Sequence, residues 1–308
     1  MGFFSLIVAL LLEQARPLQD GNAAYSAVRS FAEAIERNFN AGEKQHGVIA
    51  WLIVVLPLAL GSWIIFELLC MVQPFLAIVW NVLVLYFTLG FRQFSHYFTD
   101  IQLALAENDL NEARRLLETW KRLSEPKFSA AELELTEVCR LAIEEALVAS
   151  HRHVFGVFFW FVLLPGPAGA VLYRLSDYLA RKWNAPDLPR GEPFGEVATR
   201  AFGWVDWVPV RLSAIGFAIV GNFEDAVFYW RNSARRWTDL HRGIILSAGA
   251  GALGLRLGDA RSLRAEPTLS AETGQAPVIE TLGDNIPGVD ASPAAMRTFA
   301  AWRDVVPK

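Results

Sequence analysis

Apolar positions along the chain fall into long blocks separated by amphipathic stretches, and the blocks predict helices that cross a lipid bilayer. Residues 48–69 (VIAWLIVVLPLALGSWIIFELL) carry a single charge, Glu67. As a helix rising 1.5 Å per residue they cover about 33 Å, enough for a hydrocarbon core of roughly 30 Å. Residues 72–91 (VQPFLAIVWNVLVLYFTLGF) follow after so short a link that the two blocks predict a hairpin. Pro57 inside the first block is tolerated where neighbouring helices re-satisfy the backbone. A third span is predicted over 154–175, interrupted by Pro165-Gly166-Pro167. The N-terminal segment, 2–15, has an apolar part that rises only about 17 Å. It lacks the basic start and small-residue cleavage site of a signal peptide, so it is expected to be retained. Two late apolar runs, 208–221 and 243–255, are shorter than a span and predict re-entrant or tightly packed helices. The Gly/Ala content of the second favours close helix contact.

The polar stretches are patterned as helices too. Residues 92–153 hold Arg92, Arg114, Arg115, Lys121, Arg122, Lys127, Arg140 and Arg152, which places the segment in the cytoplasm by the positive-inside rule. Asp109 and Glu112 form an N-cap and N3 pair, after which Leu110, Ala113, Leu117, Trp120 and Leu123 share a stripe. Ser129 and Glu132 repeat that cue ahead of a helix running to about Ser150. Residues 23–39 carry Val28, Phe31, Ile35 and Phe39 on one face, suited to the bilayer or to the cytoplasmic helices. Residues 259–308, rich in Pro, Gly, Ser and acids, predict a polar tail with a short helix after Ser292. The expected fold is therefore all-α: a polytopic integral membrane protein with cytoplasmic amphipathic helices and a membrane domain over 1–258.

Composition agrees, with 53% hydrophobic and 19% charged residues, a mean hydropathy of +0.29 and 11 tryptophans. This points to a lipid bilayer as partner. A net charge of -4 gives no electrostatic reason for nucleic acid. Cys70 and Cys139 stand in no ligand spacing, so neither a disulfide nor a zinc site is expected. His151 and His153, two apart on a helix, point about 200° from each other and cannot clamp one metal as an i, i+4 pair would. The five histidines all lie near ends of apolar runs, where a ring reaches water or headgroups. His96 alone stays open, either as a ligand-binding or proton-accepting group or as an interfacial anchor. No nucleotide-binding or hydrolase motif is present. Glu137, Glu144 and Glu145 share a helix face, which would suit Mg²⁺ or simply a solvated surface balanced by Arg140. Asp206 and Arg211 flank the mouth of a late apolar run, where a charge is either anchoring or functional.

Taken together, RQFSHYFTDIQLALAENDLNEARRLL (92–117), HVFGVFFWFVLLPGPAGAVLYRL, DWVPVRL (206–212), GNFEDAVFYWR (221–231) and AGALGLRLG (250–258) resemble the CobD/CbiB family of bacterial inner-membrane proteins. Within it the chain looks most like the AmpE branch. The resemblance carries two functional implications. AmpE-like members imply a membrane sensor or regulator that binds a ligand or an envelope-signalling partner. True CobD/CbiB members imply an adenosylcobinamide-phosphate synthase, which joins an amine to a corrinoid carboxylate with ATP and Mg²⁺. Several positions expected of a synthase, acidic ones among them, are replaced here: TWKRLSEPKF stands after the 92–117 stretch, Val148, Ala149 and Arg152 follow Glu144, Asn232 follows FYWR, and GIILS precedes AGALG. Those losses favour the regulatory reading, with the synthase as its alternative. The residues that match the family, and so form the expected ligand site, are Arg92, His96, Glu144, Asp206 and Arg211.

Overall fold

The structure is a computed structural model that describes residues 2–15, 23–40, 43–125, 127–184, 193–258 and 290–305. The order of helices is α1 (Gly2–Ala15), α2 (Ala23–Phe39), α3 (Lys44–Val72), α4 (Pro74–Thr88), α5 (Phe91–Ala106), α6 (Leu110–Arg122), α7 (Leu135–Ser150), α8 (Gly156–Leu163), α9 (Ala168–Lys182), α10 (Pro193–Val220), α11 (Phe223–Ser233), α12 (Leu240–Leu253) and α13 (Pro293–Val305). A π turn at His151–Phe155 joins α7 to α8 without a break. The fold is all-helical. Among the described residues three stretches, Lys44–Val72, Leu135–Leu163 and Phe194–Val220, are long and apolar enough to cross a membrane.

The chain divides into two compact units. The first, Met1–Ser95 with Ala149–Pro209, is built on α3. That helix stops where Gln73 turns extended, and Pro74 opens α4 at a position where its missing N–H costs nothing. α8 and α9 form a second hairpin, reversed by Gly166 at φ 60° between two prolines. The hairpin closes to backbone contact: a Cβ on Gly169 would overlap the Trp160 carbonyl, and one on Gly156 would fall inside the Tyr173 ring. The Trp160 indole donates to the Val205 carbonyl at 3.0 Å, fixing α8 to α10. One core gathers Ala32, Val54, Leu179, Trp183 and Phe194; another gathers Ala9, Leu85, Phe161, Tyr173 and Phe202. The amphipathic α2 lays Val28, Ile35 and Phe39 on the first core, leaving Phe31 exposed.

The second unit, His96–Val148 with Val210–Lys308, holds α6, α7, α11, α12 and α13. Asp109 caps α6 by accepting from the Glu112 amide at 2.9 Å, as its spacing predicts. The Ser129 and Glu132 cue does not start a helix. α7 begins at Leu135, where Glu137 reaches back to the Glu134 amide at 3.1 Å. α12 is buried from Gly243 to Ala252, because Gly221, Gly249 and Gly251 let α11, α7 and α12 approach to where a Cβ would collide. It ends at Gly254, whose φ of 66° suits glycine. From the C-terminal segment, Phe299 packs edge-on against Phe98 at 5.0 Å, and Met296 is fully buried.

Several expectations change at this level. The span expected over 154–175 begins instead at Leu135 and ends at Leu163, since the polar-looking α7 runs straight into the apolar block. The run 208–221 is the second half of a helix long enough to span. The block 72–91 yields only the 15-residue α4. Most of the expected tail, 259–289, lies outside the described residues. The short helix expected after Ser292 is α13.

Candidate functional site

In the first unit, ionic and polar groups meet among apolar helices. α10 carries Asp206, 1% exposed, among Val205, Trp207 and Val208. A carboxylate there is tolerated only if it is hydrogen-bonded. The Tyr173 hydroxyl of α9 donates to its Oδ1 at 2.9 Å. His151 Nε2, from the π turn, lies 2.9 Å from the same oxygen and donates to it in the Nε2–H tautomer. All three side chains are buried, so the group ties three elements together rather than presenting a face to solvent.

A second carboxylate, Asp177, sits one turn beyond Tyr173 on α9 and is fully buried. Spacings of three and four residues put Arg174, Asp177 and Arg181 on one helix face. Arg181 Nη2 is 2.5 Å from Asp177 Oδ2, Arg174 Nη1 is 3.4 Å away, and Arg152 Nε approaches Oδ1 at 3.9 Å. Burial alone would raise the Asp177 carboxyl. Arg181, Arg152 and Arg174 outweigh it and hold the group below the usual carboxylate range, against repulsion from Asp206.

In the second unit, Glu144 of α7 is 2% exposed. It accepts from Arg140 Nη1 at 3.0 Å and from the Gly258 amide at 2.8 Å, with Arg242 Nη2 at 3.8 Å. It therefore pins the segment after α12 to α7. Glu137 is engaged at the start of α7. The Mg²⁺ set expected from Glu137, Glu144 and Glu145 does not form: among the described residues no group of three His, Cys, Asp or Glu is placed to hold a metal. Two of the three glutamates already serve backbone amides. His96, by contrast, is 70% exposed on α5, and its Nε2 lies 3.3 Å from Asp100 Oδ2 one turn on. An accessible imidazole oriented by a carboxylate is an arrangement that can take a proton from a reacting group.

Of the residues expected to form a ligand site, Arg92 and Asp206 belong to the first unit and His96, Glu144 and Arg211 to the second. The Arg92 side chain lies outside the described residues. Arg211 is half-buried on α10. Within the second unit, His96 and Glu144 have different partners. His151 corrects the reading of the histidines as wet edges, since it is buried and bound to Asp206. Asp177 and Tyr173 were not anticipated. The spacing of Arg174, Asp177 and Arg181 is the signal that marks Asp177, whereas the π turn that brings in His151 and Arg152 leaves no mark in the sequence.

The chain matches the family described as CobD/Cbib protein over residues 6–282. It is similar to the protein named "Cobalamin biosynthesis protein CobD" of Stutzerimonas stutzeri (strain A1501), at 34% identity covering 89% of this chain and 88% of the relative. A protein of the same name from Chromobacterium violaceum is 33% identical, over 69% of this chain and 64% of the relative. No solved structure matches the chain. The relatives' shared name overturns the regulatory reading, and they lend no support to the AmpE branch. The replaced positions do not set the chain apart, since a near full-length match at this identity reaches a protein named for cobalamin biosynthesis.

Proposed function

Since the chain belongs to the CobD/CbiB family, we propose that it is a multi-pass protein of the bacterial inner membrane that acts in cobalamin biosynthesis as an adenosylcobinamide-phosphate synthase. In this role it forms an amide bond between an amine and a corrinoid carboxylate. The observation that carries the reading is the 34% identity to a protein named for cobalamin biosynthesis, over nearly the whole of both chains. The ionic groups held among membrane helices support it, since such groups are costly and persist where they serve function.

Amide formation requires a carboxylate activated by ATP with Mg²⁺, so that its oxygen leaves with a phosphate as the C–N bond forms, and the loss of a proton from the attacking amine. Mg²⁺ carried on nucleotide phosphates takes only one or two protein carboxylates, and the described residues provide no closed cage for it. For the proton, His96 is the best-suited group: it is exposed, and Asp100 fixes its ring. In this assignment His96 accepts the amine proton as the C–N bond forms. Asp206 and Glu144, both buried and bonded within their own units, act through the positions of their neighbours.

Complementation of a synthase-null strain, scored as growth that depends on cobyric acid, tests the reading. The wild-type chain is expected to restore growth. H96A is expected to lower purified activity by 10²-fold or more, the typical contribution of a general base, with D100N losing less. Failure of the wild-type chain to rescue, despite normal membrane levels, overturns the proposal.

A further inference from the structure

The chain passes between its two units at three places, from Ser95 to His96, from Val148 to Ala149 and from Pro209 to Val210. Each place adjoins a departure from regular helix. The first lies near the start of α5, just after the chain turns extended at Leu89. The second lies two residues before the π turn at His151–Phe155. The third is Pro209 itself, inside α10. A proline has no amide N–H, and its ring crowds the carbonyl four residues back, here that of Val205. The Trp160 indole supplies the donor that Pro209 withholds, at 3.0 Å. Helices bend at prolines and at π turns, and both of these helices are fastened on either side of such a point. Glu144 holds the end of α7 to the Gly258 amide at 2.8 Å, and beyond the end of α10 the Asn222 amide donates to the Ala252 carbonyl at 3.0 Å. On the side of the first unit, His151 Nε2 lies 2.9 Å from Oδ1 of Asp206, three positions before the proline. The two weak points therefore sit next to each other.

We propose that the π turn and Pro209 form a paired hinge about which the second unit swings as a body relative to the first, with α5 as the third connection. A hinge needs a few positions that absorb the change in backbone angle between packed bodies. Unbroken α-helical bonding would make both crossing helices stiff rods, whereas the widened turn in one and the missing bond in the other let each bend. The contact of His151 with Asp206 couples the two bends, because neither helix tilts at its weak point without carrying the other. Trp160 sets the resting bend of α10 by holding the carbonyl that the proline leaves open. His96, Glu144, Asp206 and Arg211 lie within four positions of a crossing along the chain, so bending re-aims each of them. The hinge follows from helix geometry and does not rest on amide-forming activity.

Pulsed electron paramagnetic resonance on the full chain in phospholipid nanodiscs tests the hinge. Spin labels are placed at exposed positions in a C70S background, Cys139 being buried. The pair S30C and T119C reports across the units, and the pair T119C and T298C reports within the second. The cross-unit pair is expected to give the wider distance distribution. P209A returns a helical donor to the Val205 carbonyl and is expected to narrow that distribution towards the within-unit width. W160F removes the brace and is expected to widen it. Both variants are expected to leave the within-unit pair unchanged, which separates altered hinging from a general loss of structure. A cross-unit distribution no wider than the within-unit one, or one that P209A leaves unchanged or broadens, overturns the proposal.

Discussion

Asp206 shows how one residue can organise its surroundings. With two donors on a single oxygen, its removal takes that acceptor from both His151 and Tyr173. Each buried polar group left without its partner costs about 1–3 kcal/mol. D206A is therefore expected to lower the unfolding midpoint in detergent sharply. Y173F, which removes one donor and leaves the carboxylate its histidine, should cost only about 1 kcal/mol. Asp177 adds a pH dependence. Its folded carboxyl is held below the ordinary value by the three arginines, despite burial. Its contribution is thus fully present above the unfolded-state value near 3.9 and is lost as the pH falls through the lower folded value. Unfolding midpoints of wild type and D177N measured at a series of pH values should differ at neutral pH and converge in acid. A constant gap at every pH would show that the carboxyl charge contributes nothing.

At the scale of elements, glycines decide which helices can touch. G169A places a methyl against the Trp160 carbonyl, where backbone cannot retreat, and G156A places one inside the fully buried Tyr173 ring, which has no room to turn aside. Both are expected to abolish recovery of folded protein. G61A meets nothing within 4 Å and should stay within about 0.5 kcal/mol of wild type; size-exclusion yield in detergent separates the cases. Elements whose signal is local were readable from the sequence. The block at 48–69 lies within α3, and Asp109 with Glu112 starts α6. Where an element depends on packing, the reading failed. α7 looks polar through Arg140 and Glu144, yet these are buried against each other and Gly258. The apolar run at 208–221 is lengthened by a preceding helical stretch, PFGEVATRAFGW, which rests on Phe194 and Ala198 in the core. For the site, Asp206 was legible because a lone carboxylate in an apolar stretch demands a partner. The partner was not legible, since it arrives from 55 residues away.

For the molecule as a whole, two compact units each carry their own buried ionic group, built on different residues. The C-terminal segment belongs to the second unit's core through Met296 and Phe299. Truncation after residue 289 is expected to cost on the order of 3 kcal/mol or more in apolar burial alone. Limited proteolysis should then cut α6, α11 and α12 faster than in the full chain.

The π turn at His151–Phe155 amounts to one surplus residue threaded into an otherwise regular spiral. Excising a single position there would close the widened turn to ordinary α pitch while leaving the downstream helix near its present phase. His151 and Arg152 could then no longer both keep their present acidic neighbours while Trp160 kept its grip on Val205. The irregularity is what lets one continuous rod satisfy both demands, and a one-residue deletion is a sharper probe of it than any side-chain exchange.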